Sequence, residues 1–271
     1  MASTTSTAGN DWSVHAQQYA KHITSFTGKG AAALVAFVNE YAPLSLSSKV
    51  LDEGAGTGIM TEMLVAQHPG ITVTAADIAP GMLEILDQQK LPNVSTKVVD
   101  AAADHQAQGL VPKSYSHVLS SFLVQFVNPG QAAVNEMFRM LQPGGTLGIA
   151  TWEVLSMGEP WLIACKNLDP NFTFSTPFKS FNNATSLENA LQEAGCMDIH
   201  STSADIWWEP DSVEHFVEVF MDSQNPAYVV MQEAFHGDRE EARAEMTKVV
   251  RERYADLRFY LKAVCVVGKK G

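Results

Sequence analysis

The run Val50-Leu51-Asp52-Glu53-Gly54-Ala55-Gly56-Thr57-Gly58 is a short apolar stretch that opens directly into alternating glycines. Glycines at that spacing after a strand let the backbone itself approach a ligand, and the N-terminus of the next helix lies alongside with unpaired N–H groups. Two acids follow at matching places: Asp77 closes the apolar run Ile71 to Ala76, and Asp100 closes Val94 to Val99. A carboxylate only accepts hydrogen bonds and can take two from neighbouring hydroxyls at once. Asp77 stands about 20 residues past the loop, where doubly wound folds place an acid on ribose hydroxyls. Asp100 suits the exocyclic amino group of a purine, with a plain helix N-cap as the alternative.

The elements around these residues alternate. Lys49 to Glu53 reads as a strand, Thr57 to Gln67 as a helix stopped by Pro69-Gly70, and Ile71 to Ala76 as a second strand. Pro80 to Gln89 reads as a helix with proline in its first turn. Val94 to Val99 and Tyr115 to Ser120 are further strands, Gln131 to Leu141 is a helix, and Pro143-Gly144-Gly145 turns the chain into a fifth strand, Thr146 to Thr151. This rhythm predicts parallel βαβ units with a ligand crevice at the carboxyl ends of the strands. Past Trp152 it weakens. Ala184 to Ala194, capped by Gly195, is helical; Ile199 to Trp207 and Arg258 to Val267 are β-rich; Val213 to Phe220 and Ala227 to Tyr254 are helical, with a break near Gly237. Met157 to Asn183, with Pro160, Pro170 and Pro177, reads as a long loop carrying a short helix.

Composition bounds the function. The 271 residues carry 30 acidic and 18 Lys or Arg side chains, a net charge of −12. Nucleic acid and anionic membrane surfaces are poor partners for such a chain, because binding either rests on basic side chains. Cys165, Cys196 and Cys265 form neither a disulfide framework nor a metal-binding pair. The histidines lack metal-ligand spacing and no oxygen-ligand cluster is evident, so no metal is expected. Without a secretory start or a long apolar stretch, a cytoplasmic setting is expected. A dinucleotide-binding loop would place a third glycine three residues after the second. Those places are held by Ile59 or Thr61, so the Gly-x-Gly-x-Gly spacing suits a ligand without a pyrophosphate.

As a set, Val50 to Met60, Asp77-Ile78-Ala79-Pro80-Gly81-Met82-Leu83, Val98-Val99-Asp100-Ala101, Tyr115 to Val127 and Met137 to Leu147 resemble the class I S-adenosylmethionine (SAM)-dependent methyltransferases. The likeness runs over roughly residues 48–152 and extends, more loosely, to small fungal methyltransferases of secondary metabolism. It implies an α/β, Rossmann-like, doubly wound and mostly parallel seven-stranded sheet with an antiparallel C-terminal strand and a helical lid or cap. In residue terms it implies a disordered tail over 1–10, an N-terminal helical lid over 11–45, and a SAM-binding domain over 46–271 with substrate-cap insertions around 155–183 and 209–255. Gly54, Ala55 and Gly56 would hold the methionine part of SAM, and Asp77 the ribose. Ile78 and Met82 would flank the adenine, Asp100 and the Ala101 N–H would read its edge, and Ser120 would offer a carbonyl to the amino group. Glu53 departs from the pattern, which often has an apolar residue there.

The implied reaction is methyl transfer from SAM, leaving S-adenosylhomocysteine, to an O, N or S atom of a small, apolar or aromatic natural product, with oxygen favoured. A protein of this fold that binds SAM or a ligand without transferring a methyl is the alternative. Substrate contacts are expected from Tyr19, Gln125 and Trp152. For Phe122 and Phe126, core packing and substrate contact are both open. A methyl sulfonium is already activated, so no catalytic base is required by the residues, and His22 is the one suggestively placed candidate. His105 should lie near the adenine end. Monomer and homodimer are not distinguished.

Overall fold

The computed structural model describes residues 9, 12–175, 180–223 and 225–271. The expected tail (apart from Gly9), the first residue of the expected lid, Asp11, and Pro177 of the expected loop lie outside the described residues.

Two helices open the described fold, α1 (Ala16–His22) and α2 (Thr24–Tyr41). There follow β1 (Lys49–Glu53), α3 (Ile59–Gln67), β2 (Thr72–Asp77), α4 (Pro80–Gln88), β3 (Val94–Val98), β4 (Tyr115–Ser121), α5 (Gly130–Met140) and β5 (Leu141–Leu155). The second half holds α6 (Glu159–Leu168), α7 (Ala184–Ala194), β6 (Cys196–Trp208), α8 (Val213–Asp222), α9 (Pro226–Glu233), α10 (Arg239–Arg253) and β7 (Phe259–Lys270). The strands form one sheet in the order β3-β2-β1-β4-β5-β7-β6. Pairing is parallel from β3 through β5, and β7 runs antiparallel to both β5 and β6. The expected sheet is therefore present, closing strand included.

Successive residues of a strand face opposite sides, and the sheet is covered on both. Val50 joins a core with Leu34, Val35 and Val38 of α2 and Met60 and Leu64 of α3. Leu51, the next residue, joins Ala133, Val134 and Met137 of α5 and Leu187 of α7. Thus α2, on the segment expected as a lid, is itself a core helix, whereas α1 lies across α4, with Ala16 against Ala79 and Met82. Elements differ from the expected spans mainly at their ends. β5 begins at Leu141 and includes the Pro143-Gly144-Gly145 turn, because Leu141 already pairs with Tyr115 ahead of a register shift. The break expected near Gly237 divides the segment into two helices, and Asp238 starts the second by accepting the Glu241 N–H.

Chain order reverses between β1 and β4, which is where the glycine loop lies. Gly54, Gly56 and Gly58 all have positive φ, +75°, +56° and +94°. Gly54 and Ala55 both donate their N–H groups to the Ala76 carbonyl at the end of β2, at 2.8 and 2.9 Å. Gly58 starts α3, and a Cβ there would lie 2.3 Å from Leu86 Cδ1. A left-handed non-glycine residue costs about 1–2 kcal/mol and overpacking a further 1–3. Gly58→Ala is therefore expected to lower the unfolding free energy in urea by about 2–4 kcal/mol. A loss below about 0.5 kcal/mol would show that Leu86 yields freely.

Candidate functional site

Asp77 organises the switch point. Its Oδ2 accepts the Gly56 N–H at 2.9 Å and its Oδ1 accepts the Ala79 N–H at 2.9 Å. One carboxylate thus ties the glycine loop to the start of α4. Burial pushes its carboxyl up, and the N–H groups of Ala79, Gly56 and Ile78 pull it back. A carboxylate offers about four lone-pair positions, so with these three donors about one remains for a ligand.

Around it open three adjoining chambers. One, beside both acids and here called the nucleoside chamber after the expected ligand, is lined by Trp12, Glu53, Gly54, Asp77, Ile78, Asp100 and Ala101. A central one adds Tyr19, Gly56, Met82, Phe122, Trp152 and Tyr228. An outer one holds Gln125, Glu153, Glu159, Leu162 and Asn182. Phe126, Trp152, Leu155 and Tyr228 belong to both the central and the outer chamber.

Most of the residues singled out in the sequence meet in this cleft. Gly54, Gly56, Asp77, Ile78, Met82, Asp100 and Ala101 line the first two chambers. Tyr19 and Trp152 line the central one, and Gln125 the outer one, where its Oε1 accepts the Trp152 N–H at 3.1 Å. Asp100 starts no helix. Its Oδ1 accepts the Ala102 N–H at 3.0 Å in a local turn, and its own N–H goes to Gln108 Oε1 at 2.7 Å. Ala55 is buried behind the loop. Ser120 lies inside β4 opposite Ile149, fully buried, and Ser121 is the serine that reaches the central chamber.

His22 is not among the described residues that line the chambers. Its ring is buried, with Nε2 3.5 Å from Glu218 Oε1, and burial and Lys21 lower its basicity. His105 lies behind the nucleoside chamber and pairs with Glu53, while its neighbour Asp104 pairs with Arg139 instead. No Lys, Arg or His lines any of the three chambers among the described residues. Likewise, no group of three or more metal-ligating side chains occurs among them.

Several contributors were not legible as such. Trp12 meets Tyr19 and Phe126 edge-on, both at 5.9 Å. Phe122 adopts a left-handed backbone, φ +59°, and stacks flat on Trp152 at 4.0 Å. Gly30 of α2 makes room for that ring, since a Cβ there would lie 2.2 Å from Phe122 Cζ. Tyr228 donates its hydroxyl to Met157 Sδ at 3.2 Å. Trp12, Gly30 and Tyr228 come from segments far apart in sequence and nothing local marks them, whereas Phe122, open in the sequence between core packing and substrate contact, lines the central chamber.

Asp52 stands in β1 just ahead of the glycine loop. It is fully buried, with Oδ2 accepting the Thr61 hydroxyl at 2.6 Å and Oδ1 without a partner among the described residues. Burial pushes its carboxyl up to about 7, the Thr61 hydroxyl opposes that, and the charges of Asp77 and Glu53 add to it. Its ordinary value is 3.8, so the folded state binds the proton more tightly and stability falls as pH rises from about 4 to 7. Thr61→Val removes the opposing donor. It is expected to cost about 1–3 kcal/mol in urea denaturation, with a larger loss at pH 8 than at pH 6. Equal losses at the two pH values would show that the ionised carboxylate is not what Thr61 stabilises.

Residues 50–145 match a methyltransferase domain family. Methyltransferase ucsB of Acremonium sp is 27% identical over 168 residues, covering 56% of this chain and 56% of that protein. The malonyl-(acyl-carrier protein) O-methyltransferase of Acetivibrio thermocellus is 31% identical over 121 residues, covering 43% of this chain and 41% of that protein. The match thus spans about half the length of these curated relatives. Among solved structures, Haemonchus contortus phosphoethanolamine N-methyltransferase 2, in complex with S-adenosyl-L-methionine, superposes with a TM-score of 0.52 at 18% identity. That likeness covers 88% of this chain and 52% of the other, and it is one of fold. Glycine loop, sheet order and domain match agree: residues 50–145 are similar to a methyltransferase domain, and the fold is that of the Rossmann-like methyltransferases.

Proposed function

We propose that this chain transfers a methyl group from SAM to an oxygen of a small, uncharged, ring-bearing natural product. The observation that carries this reading is the central chamber, where Trp12, Tyr19, Phe126, Trp152 and Tyr228 stand opposite the Asp77 carboxylate. The residues present fit the cofactor. Asp77 keeps a free lone pair beside the glycine loop, Asp52 Oδ1 is a buried acceptor behind it, and aromatic faces suit a sulfonium cation. Gly54 and Gly56 would hold the amino-acid part against the backbone, Asp77 the ribose hydroxyls, and Asp100 with Ala101 the adenine edge, between Ile78 and Met82.

When bound, SAM supplies an already activated methyl group. The side chains then align the acceptor and exclude water. Tyr19 is suited to orient a polar acceptor atom. Burial pushes its hydroxyl up to about 12, with Thr27 opposing and Asp77 adding to the effect, so it remains a protonated donor. A carboxylate acceptor would call for a basic partner, and the described lining contains none. The carboxylates of the outer chamber are engaged: Glu153 pairs with Lys262 at 2.6 Å and Glu159 accepts the Tyr254 hydroxyl at 3.1 Å. An acceptor that ionises readily by itself, an acidic phenol or enol, fits a site without a free base. The looser resemblance to small fungal methyltransferases supports the same substrate class. A cytoplasmic setting and activity on small molecules rather than nucleic acid or membranes complete the reading.

S-adenosylhomocysteine is expected to raise the melting temperature, because a ligand at 100 times its Kd contributes about 2.7 kcal/mol. No shift at millimolar concentration would sink the cofactor assignment. Incubation with methyl-labelled SAM and a panel of phenols and enols is expected to label an organic-soluble product. Cofactor binding without label in any acceptor would favour a methyltransferase-fold protein that does other chemistry. Trp152→Leu is expected to raise the acceptor KM about tenfold, the equivalent of roughly 1.4 kcal/mol of lost aromatic contact, with a smaller change in S-adenosylhomocysteine affinity. An unchanged KM would place the acceptor elsewhere.

A further inference from the structure

Behind the nucleoside chamber lies a buried pair that the reading above does not use. Glu53 is fully buried, its Oε2 is 3.1 Å from His105 Nε2, and its Oε1 has no partner among the described residues. Glu53 also lines the chamber that holds Asp77 and Asp100. His105 is fully buried too, with Nδ1 2.9 Å from the Ala103 carbonyl and 3.5 Å from Glu136 Oε2.

This geometry fixes the proton count. A carbonyl oxygen only accepts, so Nδ1 carries a proton. A contact between Nε2 and a carboxyl oxygen at 3.1 Å then needs a second proton between them. Either an imidazolium faces a carboxylate, or a neutral ring faces a carboxylic acid. In both states the pair has no net charge, and in both Oε1 is an acceptor.

The surroundings favour keeping that proton. Glu136 of α5 faces the ring, Asp77 and Asp100 face Glu53 across the chamber, and the Tyr115 hydroxyl feels the Glu53 charge. Asp104 and Arg139 pair with each other beside the Glu136 carboxylate. Burial pushes the Glu53 carboxyl up even against its hydrogen bond to His105. Burial opposes charging of His105, but the Glu53 hydrogen bond and charge, the Ala103 carbonyl and Glu136 together raise it.

We propose that Glu53 is a further cofactor-binding residue, whose Oε1 accepts a hydrogen bond from the nucleoside part of SAM while His105 holds a proton on its other oxygen. The inference rests on the SAM assignment. It gives the departure from the family pattern a purpose: an acceptor is added to a chamber already holding two acids, without adding charge. Loss of the shared proton would set a carboxylate oxygen against the bare Nε2 lone pair and drive the side chain from its place. Affinity is therefore held at neutral pH and falls as pH rises through the pair's titration.

The test is calorimetric titration of S-adenosylhomocysteine into the wild type, Glu53→Gln and Glu53→Leu between pH 6.5 and 9.5. The glutamine amide can donate to His105 Nε2 and still present an oxygen, so Glu53→Gln is expected within about threefold of wild type at pH 7. Glu53→Leu is expected to bind about tenfold more weakly, the effect of one lost buried hydrogen bond. The ratio of wild-type to Glu53→Gln affinity cancels the ligand's own titration and is expected to fall several-fold toward pH 9.5. A leucine variant that binds like wild type, or a ratio flat with pH, overturns the proposal. The ratio alone decides if the leucine variant does not fold. A wild type that binds no S-adenosylhomocysteine refutes the cofactor assignment instead.

Discussion

The site depends on one carboxylate satisfying two backbone donors from different segments. Gly56 and Ala79 both direct N–H groups at Asp77. The loop after β1 and the turn after β2 are thereby fixed relative to each other before any ligand arrives. Left-handed backbone at Gly54, Gly56 and Gly58 is what lets the loop fold back far enough to reach it. The Ala76 carbonyl, taking both the Gly54 and Ala55 N–H groups, holds the same two segments from the other side. Preorganisation of this kind lowers the ordering cost of binding.

The same place concentrates negative charge out of water. Asp52, Glu53 and Asp77 lie within two adjacent strand ends, and burial raises the carboxyl of each. Each has its own compensation: the Thr61 hydroxyl for Asp52, His105 for Glu53, and backbone N–H groups for Asp77. Asp52 Oδ1 and Glu53 Oε1 have no partner among the described residues, and of these two acids Glu53 lines a chamber. Stability given up at such a place is common at functional sites.

The sheet was legible because its signals are local. A short apolar run, a glycine or an acid at its end and a helix behind it are all contained in about thirty residues, the scale of one βαβ unit. The half of the cleft around Asp77 was legible for the same reason, since Gly54, Asp77 and Asp100 sit at consecutive strand ends and the fold brings strand ends together. The aromatic half was legible only in part: Tyr19 and Trp152 stood out, but Trp12 and Tyr228 converge on them from distant segments, and no spacing rule links the four. His22 looked placed for chemistry, but the face of α1 that lines the chamber is that of Tyr19, and His22 turns toward Glu218. Ser120 was expected to offer its backbone carbonyl; its side chain is buried, and the next residue, Ser121, lines the central chamber. Likewise, the His105 ring turns inward to an acid 52 positions away in sequence, a pairing no local pattern marks.

Gly30 joins these two halves mechanically. With no side chain of its own, it forms a notch in α2 that the Phe122 ring occupies, and that ring in turn supports Trp152. Because α2 is held in the core, the notch is a rigid seat rather than a moving part. The aromatic wall of the central chamber is therefore braced from behind by the N-terminal segment. A methyl at position 30 would act like a shim, tilting the wall into the central chamber while leaving the hydrogen bonds of Asp77 to Gly56 and Ala79 untouched. The dimensions of that chamber are thus set, in part, by a residue that is not in its lining.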